Sequence, residues 1–102
     1  MRIQLLTFPA CPNADAARKV LQAVLASSAI RTPIEEVDTT APETPEGLRE
    51  WGSPTILING TDVGGQEAPS GGTSCRLYRN EEGQLCGAPT EALLRSALNA
   101  VR

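Results

Sequence analysis

Hydrophobic and polar residues alternate along this chain with two different periods. Ile3-Gln4-Leu5-Leu6-Thr7-Phe8 is short and apolar on both alternating faces, the pattern of a central strand covered on both sides. Pro9 ends it. Ala17, Val20, Leu21, Val24 and Leu25 then recur at helical spacing, with Arg18, Lys19 and Gln22 on the opposite face. This predicts an amphipathic helix that frays at Ser27 and Ser28. Pro12 suits its first turn, where a missing N–H costs nothing. Ile34 and Val37 predict a second strand, and Pro33 with the Glu35-Glu36 pair places it at a sheet edge.

Residues 39–44 are a polar, proline-bearing connection. Thr44-Pro45-Glu46 reads as a cap, a proline and an acid opening a short helix that runs to Trp51, with Gly52 as its stop. Ser53-Pro54-Thr55-Ile56-Leu57-Ile58 is a strand introduced by proline. Asn59-Gly60 signals a tight hairpin, and Thr61-Asp62-Val63 forms its return arm. Residues 66–74 read as a loop. The run from Cys75 to Arg79 fits one more short strand or a turn of helix, followed by a turn at Asn80 to Gly83. Leu94, Ala97, Leu98 and Val101 predict a closing helix that starts near Pro89-Thr90-Glu91. The order β-α-β-α-β-β-α implies a mixed four-stranded sheet, with a parallel pair first, an antiparallel hairpin later and helices on both faces.

Composition adds limits. The chain has 102 residues, the size of a single domain spanning 1–102, and is 40% hydrophobic and 21% charged, as folded domains are. A net charge of −3 gives no footprint for nucleic acid or an anionic membrane surface. Ile3 to Phe8 is too short for a signal-peptide core, and no apolar run is long enough to span a bilayer, so a cytoplasmic location is expected. There is no histidine, which excludes Ser-His-Asp and Cys-His catalysis within this chain.

Three cysteines, an odd number, argue against a structural disulfide framework. Cys11 falls where the first strand hands over to the first helix. Unpaired N–H groups and the helix dipole at such a joint favour a thiolate, the species that reacts or binds metal. Asp15 opposes this, because a nearby carboxylate disfavours a second negative charge. The other reading of Cys11 is a small hydrophobe packed at a helix start. Cys75 reads either as a packed strand residue or as a resolving thiol or second metal ligand. A turn at 80–83 sets Cys86 opposite Leu77, near Cys75, and packing is its stronger reading. Asp62, Glu67, Glu81 and Glu82 read as solvated charges, and Trp51 and Tyr78 as core or rim anchors. Ser70-Gly71-Gly72-Thr73 lacks the strand, lysine and helix start of a phosphate cradle.

The element order, with Cys11 at the first strand–helix joint and Pro54 ahead of the third strand, resembles the thioredoxin-like superfamily. Gly52-Ser53-Pro54-Thr55-Ile56-Leu57-Ile58-Asn59-Gly60 resembles its cis-proline segment and the hairpin that follows in glutaredoxins. Val63-Gly64-Gly65 is similar to the glycine pair closing that hairpin. The resemblance implies a cis Pro54 beside Cys11; separately, no cofactor or resident metal is expected. The resemblance also implies that Ser53 offers backbone hydrogen bonds to a bound thiol, and that Pro12, Thr55, Gly64 and Gly65 contact substrate. One departure matters: the redox Cys-x-x-Cys is here Cys11-Pro12-Asn13-Ala14, so a two-cysteine cycle cannot run within the motif. Phe8-Pro9-Ala10-Cys11-Pro12-Asn13, Gly52-Ser53-Pro54-Thr55 and Ser74-Cys75-Arg76-Leu77-Tyr78 further resemble small bacterial thioredoxin-like proteins loosely labelled as related to alkylmercury lyases.

Three functions are consistent with these residues. The first is thiol exchange at Cys11 with a small thiol or protein disulfide, with Cys75 or an external thiol releasing the product. The second is soft-metal or organomercurial binding and transfer by Cys11 with Cys75, Cys86 or both, since soft ligands select such metals. The third is a scaffold that keeps the fold without the chemistry.

Overall fold

The structure is a computed structural model that describes residues 1–67, 69 and 75–101. The loop expected at 66–74 and the Ser70–Thr73 run lie largely outside the described residues. Strand β1 (Ile3–Thr7) is followed by helix α1 (Ala14–Ser27), strand β2 (Ile34–Asp38) and the short helix α2 (Glu46–Arg49). Strands β3 (Thr55–Ile58) and β4 (Thr61–Asp62) come next, then β5 (Tyr78–Arg79), β6 (Leu85–Cys86) and helix α3 (Glu91–Val101). The main sheet has the order β2-β1-β3-β4, and β5 and β6 form a separate two-stranded sheet. β1 runs parallel to β2 and antiparallel to β3, with Leu6 opposite Thr55 and Ile3 opposite Ile58. This is the mixed four-stranded sheet that the hydrophobic pattern predicts. β1 lies inside it and β2 at its edge, where Arg2 pairs with Glu35 and Arg18 with Glu36.

The two faces of β1 and β3 are both covered. Ile3, Leu5, Ile56 and Ile58 pack with Ala17, Leu21, Val24 and Leu25 of α1 and with Leu94 and Leu98 of α3. Leu6 and Leu57 pack on the other side with Trp51, with Leu48 of α2 and Val37 against them. Burying each such leucine or isoleucine contributes about 1.5–3 kcal/mol. Helices thus lie on both faces. The Asn59-Gly60 turn has positive φ at both positions, 52° and 82°, which the right-handed strand twist requires of a two-residue hairpin.

Several boundaries differ from the sequence pattern. Helix α1 starts at Ala14 with Asn13 as its N-cap, so Pro12 lies ahead of the helix rather than in its first turn. Asn13 makes no side-chain cap hydrogen bond, and its carboxamide lies where a side chain on Gly87 would sit. Thr44 does not cap α2; its hydroxyl donates to the Asp38 carbonyl at 2.6 Å, and Pro45 takes the cap position. Pro33 precedes β2 instead of lying in it. Cys86 pairs with Tyr78, not Leu77, one residue from the expected register. The turn from Asn80 to Gly83 sets this, with the Asn80 N–H donating to the Gln84 carbonyl and the Gly83 N–H to the Asn80 carbonyl. No helix among the described residues is long and apolar enough to cross a membrane.

Candidate functional site

Strand β1 ends at Thr7, and the chain turns sharply to reach Cys11. The Cys11 N–H donates to the Phe8 carbonyl at 3.2 Å, and the Ala14 N–H to the Cys11 carbonyl at 3.4 Å. Ala10 carries this turn at φ 70°, a left-handed conformation that costs an alanine about 1–2 kcal/mol. Cys11 therefore stands two residues before the N-cap, half-buried, with its thiol free of any disulfide. Asp15, the carboxylate expected to oppose a thiolate, is engaged by Arg18, which also binds Glu36 at 2.6 Å.

The Ser53–Pro54 peptide is cis, as the resemblance implies. Leu6 pairs with Thr55, so Ser53 and Pro54 continue past the end of β1 from which Cys11 departs. The third member of this sheet end is Cys75. It forms a parallel bridge with Ser53, and the next residue donates its N–H, Arg76 to the Ser53 carbonyl, at 2.8 Å. Cys75 is exposed, while Ser53, Pro54 and Thr55 are buried. What Ser53 presents is thus backbone, and its carbonyl is occupied by the chain's own segment. Its hydroxyl is buried without a hydrogen-bond partner among the described residues. Pro12 is exposed beside Cys11.

Cys86 lies on β6, next to Gly87, whose missing side chain leaves room for the Asn13 carboxamide two residues from Cys11. The Cys86 thiol faces the Ala88 carbonyl at 3.2 Å and the Tyr78 carbonyl at 3.5 Å, and it packs against the core as expected. Among the described residues no group of three or more Cys, Asp or Glu side chains converges as a metal site. A soft-metal site would therefore rest on two thiols, Cys11 with either Cys75 or Cys86.

Beneath Ser53 and Thr55 lies a charged network that the sequence reading missed. Asp62 is not a solvated charge: it is 4% exposed and is gripped at both carboxylate oxygens by Arg76, itself 7% exposed. The same guanidinium donates to Thr55 Oγ1 at 3.1 Å and lies over the rings of Tyr78 at 4.5 Å and Trp51 at 5.8 Å. Tyr78 donates its hydroxyl to the Pro54 carbonyl at 2.5 Å, and burial pushes its phenol well above the ordinary tyrosine range. Gly64 makes room for this cluster. A Cβ there would stand 2.5 Å from Arg76 Nη2 and 3.0 Å from Tyr78 Cε1. Gly65 has φ 86° and nothing near its absent side chain.

The hairpin held the signal for this network. A two-residue turn pairs Leu57 with Asp62, so an apolar inward position and an aspartate share a face. A carboxylate held inward needs a cation, and the nearest following arginine is Arg76. A groove of about 370 Å³ between β4 and α3, lined in part by Ile58, Val63, Leu93 and Ala97, has no cysteine in its walls. No family model, curated protein or solved structure matches this chain.

Proposed function

We propose that this chain is a thioredoxin-like, thiol-active protein in which Cys11 exchanges with a small thiol or a protein disulfide and Cys75 completes the reaction. One observation carries this reading. Cys75 is bridged to Ser53 at the sheet end from which β1 delivers Cys11. The sheet order, with a parallel first pair, an antiparallel hairpin and helices on both faces, supports the superfamily assignment.

The exchange balances with a disulfide as oxidant. Cys11 thiolate attacks R–S–S–R′, forms the Cys11–R mixed disulfide and expels R′–S⁻. Cys75 loses its proton to solvent, attacks the Cys11 sulfur and expels R–S⁻. Two electrons pass from the protein to the substrate, and the protein keeps a Cys11–Cys75 disulfide. The reverse sequence reduces the protein. Cys75 takes the part that the second cysteine of a Cys-x-x-Cys would have played, since that position is Ala14.

Glutathione disulfide with intact-protein and peptide mass spectrometry tests this. The native chain should accumulate the Cys11–Cys75 disulfide, and the Cys75→Ser variant should stop at glutathione on Cys11. Glutathione found only on Cys75 or Cys86, with Cys11 untouched, overturns the reading and favours the inert scaffold.

A further inference from the structure

We infer that Arg76 is the positioning residue of the Cys11–Cys75 exchange, on the reading just given: it pins the strand segment that carries Cys75 against Ser53. Tyr78, three residues on, is buried with its hydroxyl on the Pro54 carbonyl, and Cys75 itself meets the sheet at its bridge to Ser53. Cys75 is exposed, and Leu77 on the far side of Arg76 is 56% exposed, so neither neighbour of the arginine anchors the segment by burial.

Arg76 is held from four directions. Its N–H donates to the Ser53 carbonyl at 2.8 Å. Its guanidinium forks onto both oxygens of Asp62 on β4 and donates to Thr55 on β3. Its flat face lies over Tyr78. The side chains of the pair are 6% and 0% exposed. Breaking one partner would leave the other's charge dry, so the arginine has one well-defined seat. Gly64 shapes that seat, because any side chain there would meet Nη2. Consecutive Cα atoms are about 3.8 Å apart, so fixing residue 76 fixes residue 75 to within one peptide link. An exposed thiol needs such a tether to act at high effective concentration on a second sulfur. Lysine cannot replace the fork, since it presents a point charge on a flexible stem.

The test compares the native chain with Arg76→Lys and Asp62→Asn, the second removing the charge onto which Arg76 forks while keeping an oxygen to accept the Gln66 N–H. Each protein is equilibrated with glutathione at fixed ratios of thiol to disulfide, acid-quenched and assayed for the Cys11–Cys75 disulfide. The rate at which Cys11 alone takes up glutathione is measured in the Cys75→Ser background. Circular dichroism and thermal unfolding of the reduced proteins identify which variants are folded.

Both variants should lower the equilibrium constant of the Cys11–Cys75 disulfide by about tenfold or more, because that constant reports the effective concentration of one thiol at the other. The first step at Cys11 should keep its rate. An unchanged equilibrium constant in a folded variant overturns the role of Arg76, as does a first step at Cys11 slowed by the same factor as the equilibrium constant falls. If Arg76→Lys does not fold, Asp62→Asn decides. A native chain that forms no Cys11–Cys75 disulfide at any ratio instead overturns the exchange reading, and with it the tether.

Discussion

Tyr78 shows how one side chain ties chemistry to stability. It is the chain's one tyrosine, 4% exposed, with its hydroxyl on the Pro54 carbonyl. Burial favours the neutral phenol, so its pKa in the fold lies above the unfolded value of about 10. The sign follows by linkage. Below pH ~10 both states hold the proton and the stabilisation is complete; as pH rises further the unfolded chain loses its proton while the folded one keeps it, and stability falls. Urea unfolding from neutral pH to above pH ~10 should show this loss, with phenolate absorbance appearing only as the chain unfolds. Tyr78→Phe should flatten that alkaline limb. It should also cost about 1–2 kcal/mol at neutral pH, because the Pro54 carbonyl loses its donor. An unchanged limb in Tyr78→Phe would assign the alkaline loss to other groups.

Among the elements, α1 shows both what a hydrophobic stripe reveals and what it hides. Ala17, Leu21, Val24 and Leu25 are buried as their spacing predicts, because helical period and core face are one geometric fact. Its ends were less legible. The predicted fray at Ser27-Ser28 is a closed terminus: the Ile30 N–H donates to the Leu25 carbonyl at 2.9 Å and the Ala29 N–H to the Ala26 carbonyl at 3.2 Å. These paired bonds require a left-handed residue at the turn, and Ala29 occupies it at φ 55°. Ala29→Gly should therefore raise stability by about 0.5–1 kcal/mol, read as a higher denaturant midpoint with an unchanged slope. Glycine is the usual sign of such an ending, so an alanine there gave no warning. The same holds for Ala10, whose left-handed turn sets Cys11 two residues ahead of the helix cap.

For the molecule as a whole, the sheet and its two coverings were readable because each rests on local period and on the Asn-Gly turn. The link between the second, smaller sheet and the main one was not. Besides the Tyr78 hydroxyl on Pro54, it runs through Asp62 and Arg76, fourteen residues apart across a segment with no periodic pattern. A buried pair of this kind stabilises little by itself, yet losing half of it is costly. Asp62→Ala should cost about 3–5 kcal/mol, whereas Asp62→Leu with Arg76→Met should fall within about 1–2 kcal/mol of the native chain. Equal losses in the single and double variants would show that the charges themselves hold the two sheets together.

The chain has one tryptophan, and Trp51 packs with Leu6 and Leu57 while the Arg76 guanidinium lies 5.8 Å from its ring. Its emission is thus a built-in optical gauge of whether that cation is in place. Any event that shifts residues 75 and 76, whether covalent or conformational, can be followed in real time without attaching a dye.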